Sequence, residues 1–248
     1  MQHMPQVRIT TLSENTKAFL EESSPVKLAD GEVHIWLAFV PWFEQSLQEL
    51  EAVLSAEELD KRERLHFQAD RTRYAVAHGL LRRLIGRYTA IAPKQVQVAC
   101  DSNGKPFLYG QNNDSEPLFF NLSHSHELVA VAFSRDRFLG VDVEHLRHIP
   151  EMEQLLNYFH PVERDRLLRL PRGERQQGFF DCWTRKEAFV KATGKGLSKH
   201  PLDSFCMEER DHSLTVSGEG IRSEDWIIFR FTPAKGYAGA VAIGRIRA

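Results

Sequence analysis

Three carboxylates occupy positions in the sequence where a carboxylate could do chemistry: Asp142, Glu144 and Glu187. Asp142 and Glu144 belong to the alternating stretch GVDVE, which predicts a strand with both acids on one face, about 6.6 Å apart along it. Two carboxylates so placed repel each other and favour a cation between them, and oxygen ligands of this kind suit Mg²⁺. A solvated strand face near the edge of a sheet would also explain the pair.

Glu187 lies in the stretch QGFFDCWTRKEAFVKATGKGL, residues 177–197, which we interpret as a helix. At about 100° per residue, Glu187 falls in the middle of an apolar stripe. The stripe is formed by Phe180, Trp183 and Val190. A carboxylate that faces a core is costly unless it is paired, hydrogen-bonded or bound to a metal ion. The alternative is a surface ion pair between Glu187 and Lys191, worth about 0.3–0.5 kcal/mol.

Two kinds of side chain could bind phosphate groups. In the stretch FNLSHSH, residues 120–126, His124 beside Ser123 could do so by charge and hydrogen bonds, whereas a histidine satisfied in a core or turn is the ordinary alternative. Zinc is not indicated, because no third soft ligand accompanies His124 and His126. The candidate cations, most of which would be merely solvated on an ordinary surface, are Lys61, Arg62, Arg64, Arg71, Arg73, Arg82, Arg83, Lys105, Lys186 and Lys191. In the predicted helix, Lys186 and Lys191 fall at the two edges of the apolar stripe.

The elements that must position these residues follow from periodicity and capping signals. Ser55 begins a helix with a capping box, and Asp70 is predicted to cap the strongest helix, whose apolar positions recur from Tyr74 to Tyr88. Gly194 and Gly196 are expected to end the helix that carries Glu187. Residues 1–30 have little pattern and are predicted to form a variable lead-in. Strands are predicted at 33–39, 96–98, 121–135 and 138–144, near 205 and 214, and at 226–231.

An internal repeat organises these elements. The segment VAVAFSR at 129–135 aligns with GAVAIGR at 239–245, with four of the seven positions identical. The order of strand, helices, long helix and strands also occurs twice. These features predict an α+β fold of two similar lobes, 1–137 and 138–248, with a ligand-binding cleft between them.

Composition excludes several broad classes. The 248 residues carry a formal net charge of −2, which argues against a general nucleic-acid binder. No stretch has the length or apolar character of a signal peptide or a membrane span. The cysteines are Cys100, Cys182 and Cys206, which are odd in number and widely spaced, so reduced thiols are expected. We therefore predict a cytoplasmic protein that binds neither membranes nor nucleic acid.

Three motifs in a fixed order carry a resemblance: FNLSHSH at 120–126, GVDVE at 140–144 and WTRKEAFVK at 183–191. Together they resemble the 4′-phosphopantetheinyl transferases of the Sfp type, and the similarity extends from about Ser55 to Leu202. Common nucleotide-binding and hydrolase motifs, such as GxxxxGK[ST], GxGxxG, HExxH and GxSxG, do not occur in the sequence.

The resemblance implies a monomer of two α+β lobes related by pseudo-twofold symmetry, with coenzyme A and Mg²⁺ bound between them. Such enzymes transfer the phosphopantetheine arm to a serine of apo acyl or peptidyl carrier proteins and release adenosine 3′,5′-bisphosphate. They serve peptide, polyketide and related secondary-metabolite synthesis. Asp142, Glu144 and Glu187 resemble the metal carboxylates, and Lys191 resembles the lysine that contacts the pyrophosphate. The positions that match coenzyme A contacts are Lys61, Arg73, Lys105, Ser123 and His124.

Several assignments stay open at this level. Glu187 could be a metal ligand, the base that deprotonates the attacking serine, or both. Glu58 replaces a second basic position of the family, so that Arg62 or Arg64 is expected to help bind the 3′-phosphate, and His126 replaces a common glycine and receives no role. Two other functions compete with the transferase: a Mg²⁺-dependent nucleotide pyrophosphate hydrolase, and a catalytically silent module that binds coenzyme A or a carrier protein.

Overall fold

The computed structural model describes residues 4–110, 116–210 and 213–245, so that residues 1–3 of the predicted lead-in lie outside it. The chain divides into two compact units. The first unit comprises Met1–Cys100 and Pro106–Asp136, and the second comprises Asp101–Lys105 and Arg137–Ala248. Each unit combines helices with one main β-sheet. The predicted α+β class is therefore confirmed.

The first unit contains a four-stranded sheet in the order β1-β2-β6-β5 and a separate two-stranded sheet of β3 and β4. Its strands are β1 Gln6–Thr11, β2 Glu32–Phe39, β3 Val98–Cys100, β4 Pro106–Leu108, β5 Phe119–Ser125 and β6 Leu128–Ser134. Its α-helices are α1 Thr16–Glu21, α2 Leu47–Glu51, α3 Ala56–Glu63 and α4 Gln68–Thr89. Short 3₁₀ helices at Val40–Ser46 and Pro93–Gln95 complete it.

The predicted lead-in is wrong from residue 6 onward. Strand β1 pairs in parallel with β2, and Gln6 lies opposite Glu32. Most β1 residues are exposed because the strand forms the edge of the sheet, and the alternation of Val7 and Ile9 with polar residues is too short to identify a strand by itself. Helix α1 follows it and buries Phe19 and Leu20 in the core of the first unit.

Helix α4 has the predicted apolar stripe but not the predicted cap. Ala77, Leu81 and Ile85 are buried, as the periodicity indicated. The residue that precedes the helix is Phe67, whose side chain makes no capping hydrogen bond. Asp70 is instead in the first helical turn, where its carboxylate accepts a hydrogen bond from Arg73. Its negative charge also interacts favourably with the positive end of the helix dipole.

The predicted capping box at Ser55 is confirmed and is extended by a buried ion pair. The Ser55 hydroxyl accepts from the Glu58 amide at 3.2 Å, and the Glu58 carboxylate accepts from the Ser55 amide at 2.8 Å. Glu58 also binds Nε of Arg82 at 2.6 Å. Arg82 donates in addition to the carbonyls of Pro93 and Val96, so this pair ties α3 and α4 to the loop that leads to β3.

This ion pair predicts part of the acid sensitivity of the protein. Burial raises the pKa of Glu58, but hydrogen bonds from His78 and Ser55 and the charge of Arg82 outweigh it and lower the pKa from 4.5 to about 2. Because the folded state has the lower pKa, the stabilisation is present above pH 4.5 and is lost as the pH falls toward 2. We expect wild type to lose about 3 kcal/mol more than Glu58→Gln over that range in urea unfolding. Glu57→Gln, at an exposed position, should lose as much as wild type.

The second unit contains a five-stranded antiparallel sheet in the order β7-β11-β10-β9-β8. Its strands are β7 Arg137–His145, β8 Phe205–Arg210, β9 Ser213–Gly218, β10 Trp226–Phe231 and β11 Tyr237–Arg245. Its α-helices are α5 Met152–Leu155, α6 Pro161–Arg169, α7 Arg172–Thr193 and α8 Gly196–Lys199. Short 3₁₀ helices lie at Leu156–Tyr158 and Ser223–Asp225. Helix α7 ends at Gly194 in the left-handed conformation, as predicted.

The two units repeat one topology. In each, the strand that precedes the helices pairs antiparallel with a later strand: β2 with β6, and β7 with β11. The long helix between those strands, α4 or α7, has 22 residues in both units. The matching VAVA and GAVA segments lie in β6 and β11, which are equivalent strands, and this equivalence supports the internal repeat.

In the described part of the chain, no helix has both the length and the apolar character that a membrane span requires. All three cysteines are free thiols, with Cys182 and Cys206 buried and Cys100 exposed.

Candidate active site

Helix α7 and strand β7 meet at Gly140, and this contact positions the candidate catalytic residues of the second unit. A Cβ atom at Gly140 would lie 2.2 Å from the carbonyl oxygen of Ala188 and 2.3 Å from the amide nitrogen of Ala192. Only a residue without a side chain allows the helix backbone to come so close. Asp142 and Glu144 follow Gly140 at intervals of two, so they share the face of β7 that α7 covers.

Replacing Gly140 with alanine is expected to push α7 away from β7. Because the contacts are with backbone atoms that cannot rotate aside, we expect the free energy of unfolding in urea to fall by about 1–3 kcal/mol or more, with reduced activity in the folded fraction. Gly173→Ala is the matched control, since Gly173 lies in the same helix and its added Cβ would meet nothing within 4 Å. That variant should be neutral or more stable. Equal effects of the two substitutions would contradict the close-approach explanation.

Asp142 and Lys191 form an ion pair between β7 and α7. The Lys191 Nζ atom lies 2.7 Å from Oδ1 of Asp142 and donates also to the carbonyl of Val141 at 3.3 Å. Asp142 is only 4% exposed. Glu144, two residues on and half-buried, lies 3.4 Å from the guanidinium of Arg147. The surface pair between Glu187 and Lys191, considered above, does not describe Lys191, whose ammonium binds Asp142.

Glu187 lies in the field of the other two carboxylates. Burial raises its pKa first, and the negative charges of Asp142 and Glu144 raise it further, while Lys191 lowers it. The structure therefore brings all four predicted residues of the second unit into one electrostatic environment. A half-buried carboxylate with a raised pKa among like charges is poised to bind a cation or a proton.

The donor chemistry of this group fits Mg²⁺, because carboxylate oxygens are its usual protein ligands and the mutual repulsion favours a cation. The spacing is looser than that of a preformed metal site. Among the described residues, no three His, Cys, Asp or Glu side chains are gathered at distances that suit a metal ion. The metal assignment of Asp142, Glu144 and Glu187 therefore stays a prediction.

Lys186, placed among the candidate phosphate-binding cations, is fully buried. Its Nζ atom lies 2.7 Å from Oε2 of Glu163 on α6 and donates to the carbonyl of Phe205 at 2.6 Å. The ammonium also sits 4.0 Å from the centre of the Phe205 ring. Glu163 is itself 0% exposed and accepts from the Met207 amide at 2.7 Å. Lys186 is thus a buried structural residue, and no local signal around Glu163 in the sequence pointed to this pair.

Lys105 belongs to the second unit by its contacts. Its Nζ atom donates to the carbonyls of Ala192, at 2.7 Å, and Leu139, at 3.2 Å. Burial lowers the pKa of Lys105 to about 8, and the charge of Asp101 opposes that shift. This ammonium therefore caps carbonyl groups at the end of α7 and in β7, the strand that carries Asp142.

The predicted phosphate-binding residues of the first unit lie on or near the turn between β5 and β6. Ser123 is buried on β5 and His124 is exposed. His126 adopts a left-handed conformation with φ of 53°, a backbone conformation that favours glycine. The guanidinium of Arg73 donates to the His126 carbonyl at 3.1 Å, so α4 brings Arg73 to the turn that follows Ser123 and His124.

The remaining predicted cations divide into exposed and internally bound groups. Lys61 is half-exposed and pairs with Glu57 at 3.0 Å, which raises its pKa. Arg64 is largely exposed and pairs with Asp60, whereas Arg62 is mostly buried against the carboxylates of Glu51 and Glu63. Of the two substitutes for the missing basic position, Arg64 is the more accessible. Arg71, Arg82 and Arg83 each donate to backbone carbonyls.

Comparisons with known proteins match both units to one family. A family model described as 4′-phosphopantetheinyl transferase superfamily matches residues 138–242, and one described as 4′-phosphopantetheinyl transferase, N-terminal, matches residues 40–136. The 4′-phosphopantetheinyl transferase HetI of Nostoc sp. is 35% identical over 228 residues, which cover 91% of this chain and 93% of that protein. The chain belongs to the 4′-phosphopantetheinyl transferase family. The transferase Sfp of Bacillus subtilis is 30% identical over 67% of this chain and 71% of its own length.

Membership of the 4′-phosphopantetheinyl transferase family confirms the predicted enzyme class, with coenzyme A as the donor and carrier proteins as acceptors. Psf-1 of Bacillus pumilus, 32% identical over 65% of this chain and 66% of its own length, is also a 4′-phosphopantetheinyl transferase. The family match also covers both units, since the boundary between the two models falls at the boundary between the units.

Proposed function

We propose that the Asp142, Glu144, Glu187 and Lys191 group is the catalytic centre at which phosphopantetheine passes from coenzyme A to a carrier-protein serine. The observation that carries this proposal is the electrostatic coupling of Glu187 to both other carboxylates, with Lys191 held on Asp142 at 2.7 Å. Phosphoryl transfer needs positioning and charge neutralisation more than covalent help from the protein, and this group offers both.

Each side chain has a role that its surroundings support. Glu187, with its raised pKa, suits the general base that accepts the proton of the serine hydroxyl. Lys191 supplies a fixed positive charge for the leaving phosphate, and Asp142 holds its ammonium in place. If Glu187 also contacts the metal ion, its base and ligand roles compete.

Asp142, Glu144 and Glu187 would hold Mg²⁺, which would supply charge neutralisation at the pyrophosphate. This assignment rests on their donor chemistry and mutual repulsion.

Coenzyme A contacts are proposed for five residues: Lys61, Arg73, Lys105, Ser123 and His124. Arg73 and the β5–β6 turn adjoin in the first unit, and that adjacency supports a shared phosphate contact for Arg73 and His124. Lys105 donates to two carbonyls, which leaves the third N–H of its ammonium for a phosphate oxygen. We further propose that the two units are the predicted lobes 1–137 and 138–248, and that the enzyme acts as a cytoplasmic monomer without nucleic-acid partners.

The test is the intact mass of apo peptidyl, polyketide and fatty-acid carrier proteins after incubation with the enzyme, coenzyme A and Mg²⁺. We expect a gain of one phosphopantetheine group, and none on a carrier whose acceptor serine is replaced by alanine. Breakdown of coenzyme A without a modified carrier would favour the pyrophosphate hydrolase instead. Binding without either product would favour the silent module. Omission of Mg²⁺ with added EDTA should abolish the mass gain.

A further inference from the structure

The five-residue segment Asp101–Lys105 is held in a tight turn by one aspartate side chain. Oδ1 of Asp101 accepts hydrogen bonds from the Asn103 amide at 2.8 Å and from the Lys105 amide at 2.9 Å. The Asp101 amide donates to the Lys105 carbonyl at 2.9 Å, and the Gly104 amide donates to the Asp101 carbonyl at 3.0 Å. Aspartate commonly fixes a turn by accepting from amides a few residues ahead of it. Asp101 therefore fixes the backbone from which the Lys105 side chain starts.

The side chain of Lys105 runs from this turn along the end of α7. A Cβ atom at Gly194 would lie 3.0 Å from Cδ of Lys105 and 3.6 Å from Oδ2 of Asp101, so both side chains adjoin the same point at the end of the helix. At the tip of the side chain, the ammonium donates to the carbonyls of Ala192 at 2.7 Å and Leu139 at 3.2 Å. The backbone, the aliphatic stem and the ammonium of Lys105 are therefore all held in place.

This preorganisation matters because lysine is a flexible side chain. A phosphate contact made by a mobile ammonium must also overcome the entropy lost when the stem is ordered. With two N–H groups of Lys105 on carbonyl oxygens, the remaining N–H keeps a fixed direction. A change in the turn at Asp101 would move the Lys105 backbone and redirect that N–H.

We propose that Asp101 is a positioning residue for coenzyme A, because its side chain fixes the turn that directs the Lys105 ammonium toward a phosphate of coenzyme A. This inference rests on the proposed contact between Lys105 and coenzyme A. It adds a residue that the sequence motifs did not indicate. Since Asp101 acts through Lys105, loss of its side chain should weaken coenzyme A binding and spare the chemical step at the carboxylate group.

The test measures two quantities on the full chain with Mg²⁺: the Kd of coenzyme A by calorimetric titration, and kcat for carrier modification at saturating coenzyme A. Asp101→Ala removes the acceptor of two amides and should raise Kd about fivefold to tenfold, with kcat within about twofold of wild type. Asp101→Asn should keep Kd within about twofold, because the side-chain oxygen of asparagine can accept the same two bonds. Asp203→Ala, at an exposed aspartate in another turn of the second unit, is the matched control and should change neither quantity.

A Lys105→Ala background tests whether Asp101 acts through Lys105. Lys105→Ala alone should raise the Kd of coenzyme A about 10- to 100-fold, and adding Asp101→Ala should raise it no further. Should Asp101→Ala not fold, Asp101→Ser takes its place in both backgrounds, since serine makes the same turn contacts more weakly. Equal fold-increases in Kd with and without Lys105 would overturn the proposal. So would a Kd as high in Asp101→Asn as in Asp101→Ala.

Failure of this inference and failure of the proposed function give different results. If wild type binds coenzyme A and modifies the carrier while Asp101→Ala keeps the wild-type Kd, only the positioning role is wrong. If Lys105→Ala leaves Kd unchanged, the Lys105 contact is wrong and the positioning role with it. If wild type adds no phosphopantetheine to any carrier, the proposed function is wrong, and the Kd values still decide the role of Asp101.

Discussion

Glu187→Gln should lower kcat for carrier modification by about 10²–10⁴-fold, the range that a general base contributes. Glutamine keeps the shape of the side chain but cannot accept the serine proton. The stability of the metal-free protein should not fall, because the substitution removes a buried negative charge that Asp142 and Glu144 repel. Single-turnover formation of the modified carrier and urea unfolding in EDTA measure the two effects.

Glu153→Gln is the matched control for that experiment. Glu153 is an exposed acid of the same unit that pairs with Arg175 at 3.1 Å, and its loss should leave both kcat and stability within experimental error of wild type. A Glu187→Gln variant with a kcat within threefold of wild type would rule out the base role. A variant that is inactive because it unfolds would be recognised from its urea unfolding in EDTA.

Lys186→Met should destabilise the protein by about 3–5 kcal/mol, as expected when one partner of a buried ion pair is removed. Glu163 is fully buried and would keep its charge without the Lys186 ammonium 2.7 Å away. Glu163→Gln should cost a similar amount for the converse reason. Urea unfolding at pH 7 measures both.

The double variant Lys186→Met with Glu163→Leu distinguishes destabilisation by an unpaired buried charge from destabilisation by altered side-chain packing. Replacing both charges by apolar groups should recover most of the stability, although the bond from the Met207 amide to Glu163 would be lost as well. Lys199→Met is the control, since that lysine is exposed and contacts only the Asn103 side chain at 2.9 Å among the described residues. Additive losses in the double variant would refute a coupled pair.

Local pattern predicted the elements well wherever one face of an element is buried. The stripe of α4, the strand GVDVE and the end of α7 at Gly194 were all read from spacing and from a glycine signal. Strand β1 was not predicted because it lies at a sheet edge and buries few of its side chains. The cap at Asp70 was assigned wrongly, because aspartate is favoured both at the N-cap and in the first turn of a helix, and the sequence does not distinguish the two positions.

Some roles in the candidate site could be predicted from the sequence, and others depend on tertiary contacts. The motif spacing indicated Asp142, Glu144, Glu187 and Lys191, and the structure brings them into one electrostatic environment. The same spacing could not distinguish the roles of Lys191 and Lys186. The ammonium of Lys191 binds Asp142, whereas that of Lys186 binds Glu163 of a different helix. A partner contributed by a distant element leaves no periodic trace, so the buried role of Lys186 could only be found from tertiary structure.

The short segment Asp101–Lys105 has a consequence for the modularity of the chain. It belongs to the second unit although the residues on both sides of it belong to the first. An expressed fragment that begins at residue 137 would therefore lack the ammonium that binds the carbonyls of Leu139 and Ala192. Neither unit is one continuous segment, so a single chain break does not separate them. Fragment complementation or domain exchange between relatives would have to carry this five-residue insert along with the C-terminal half.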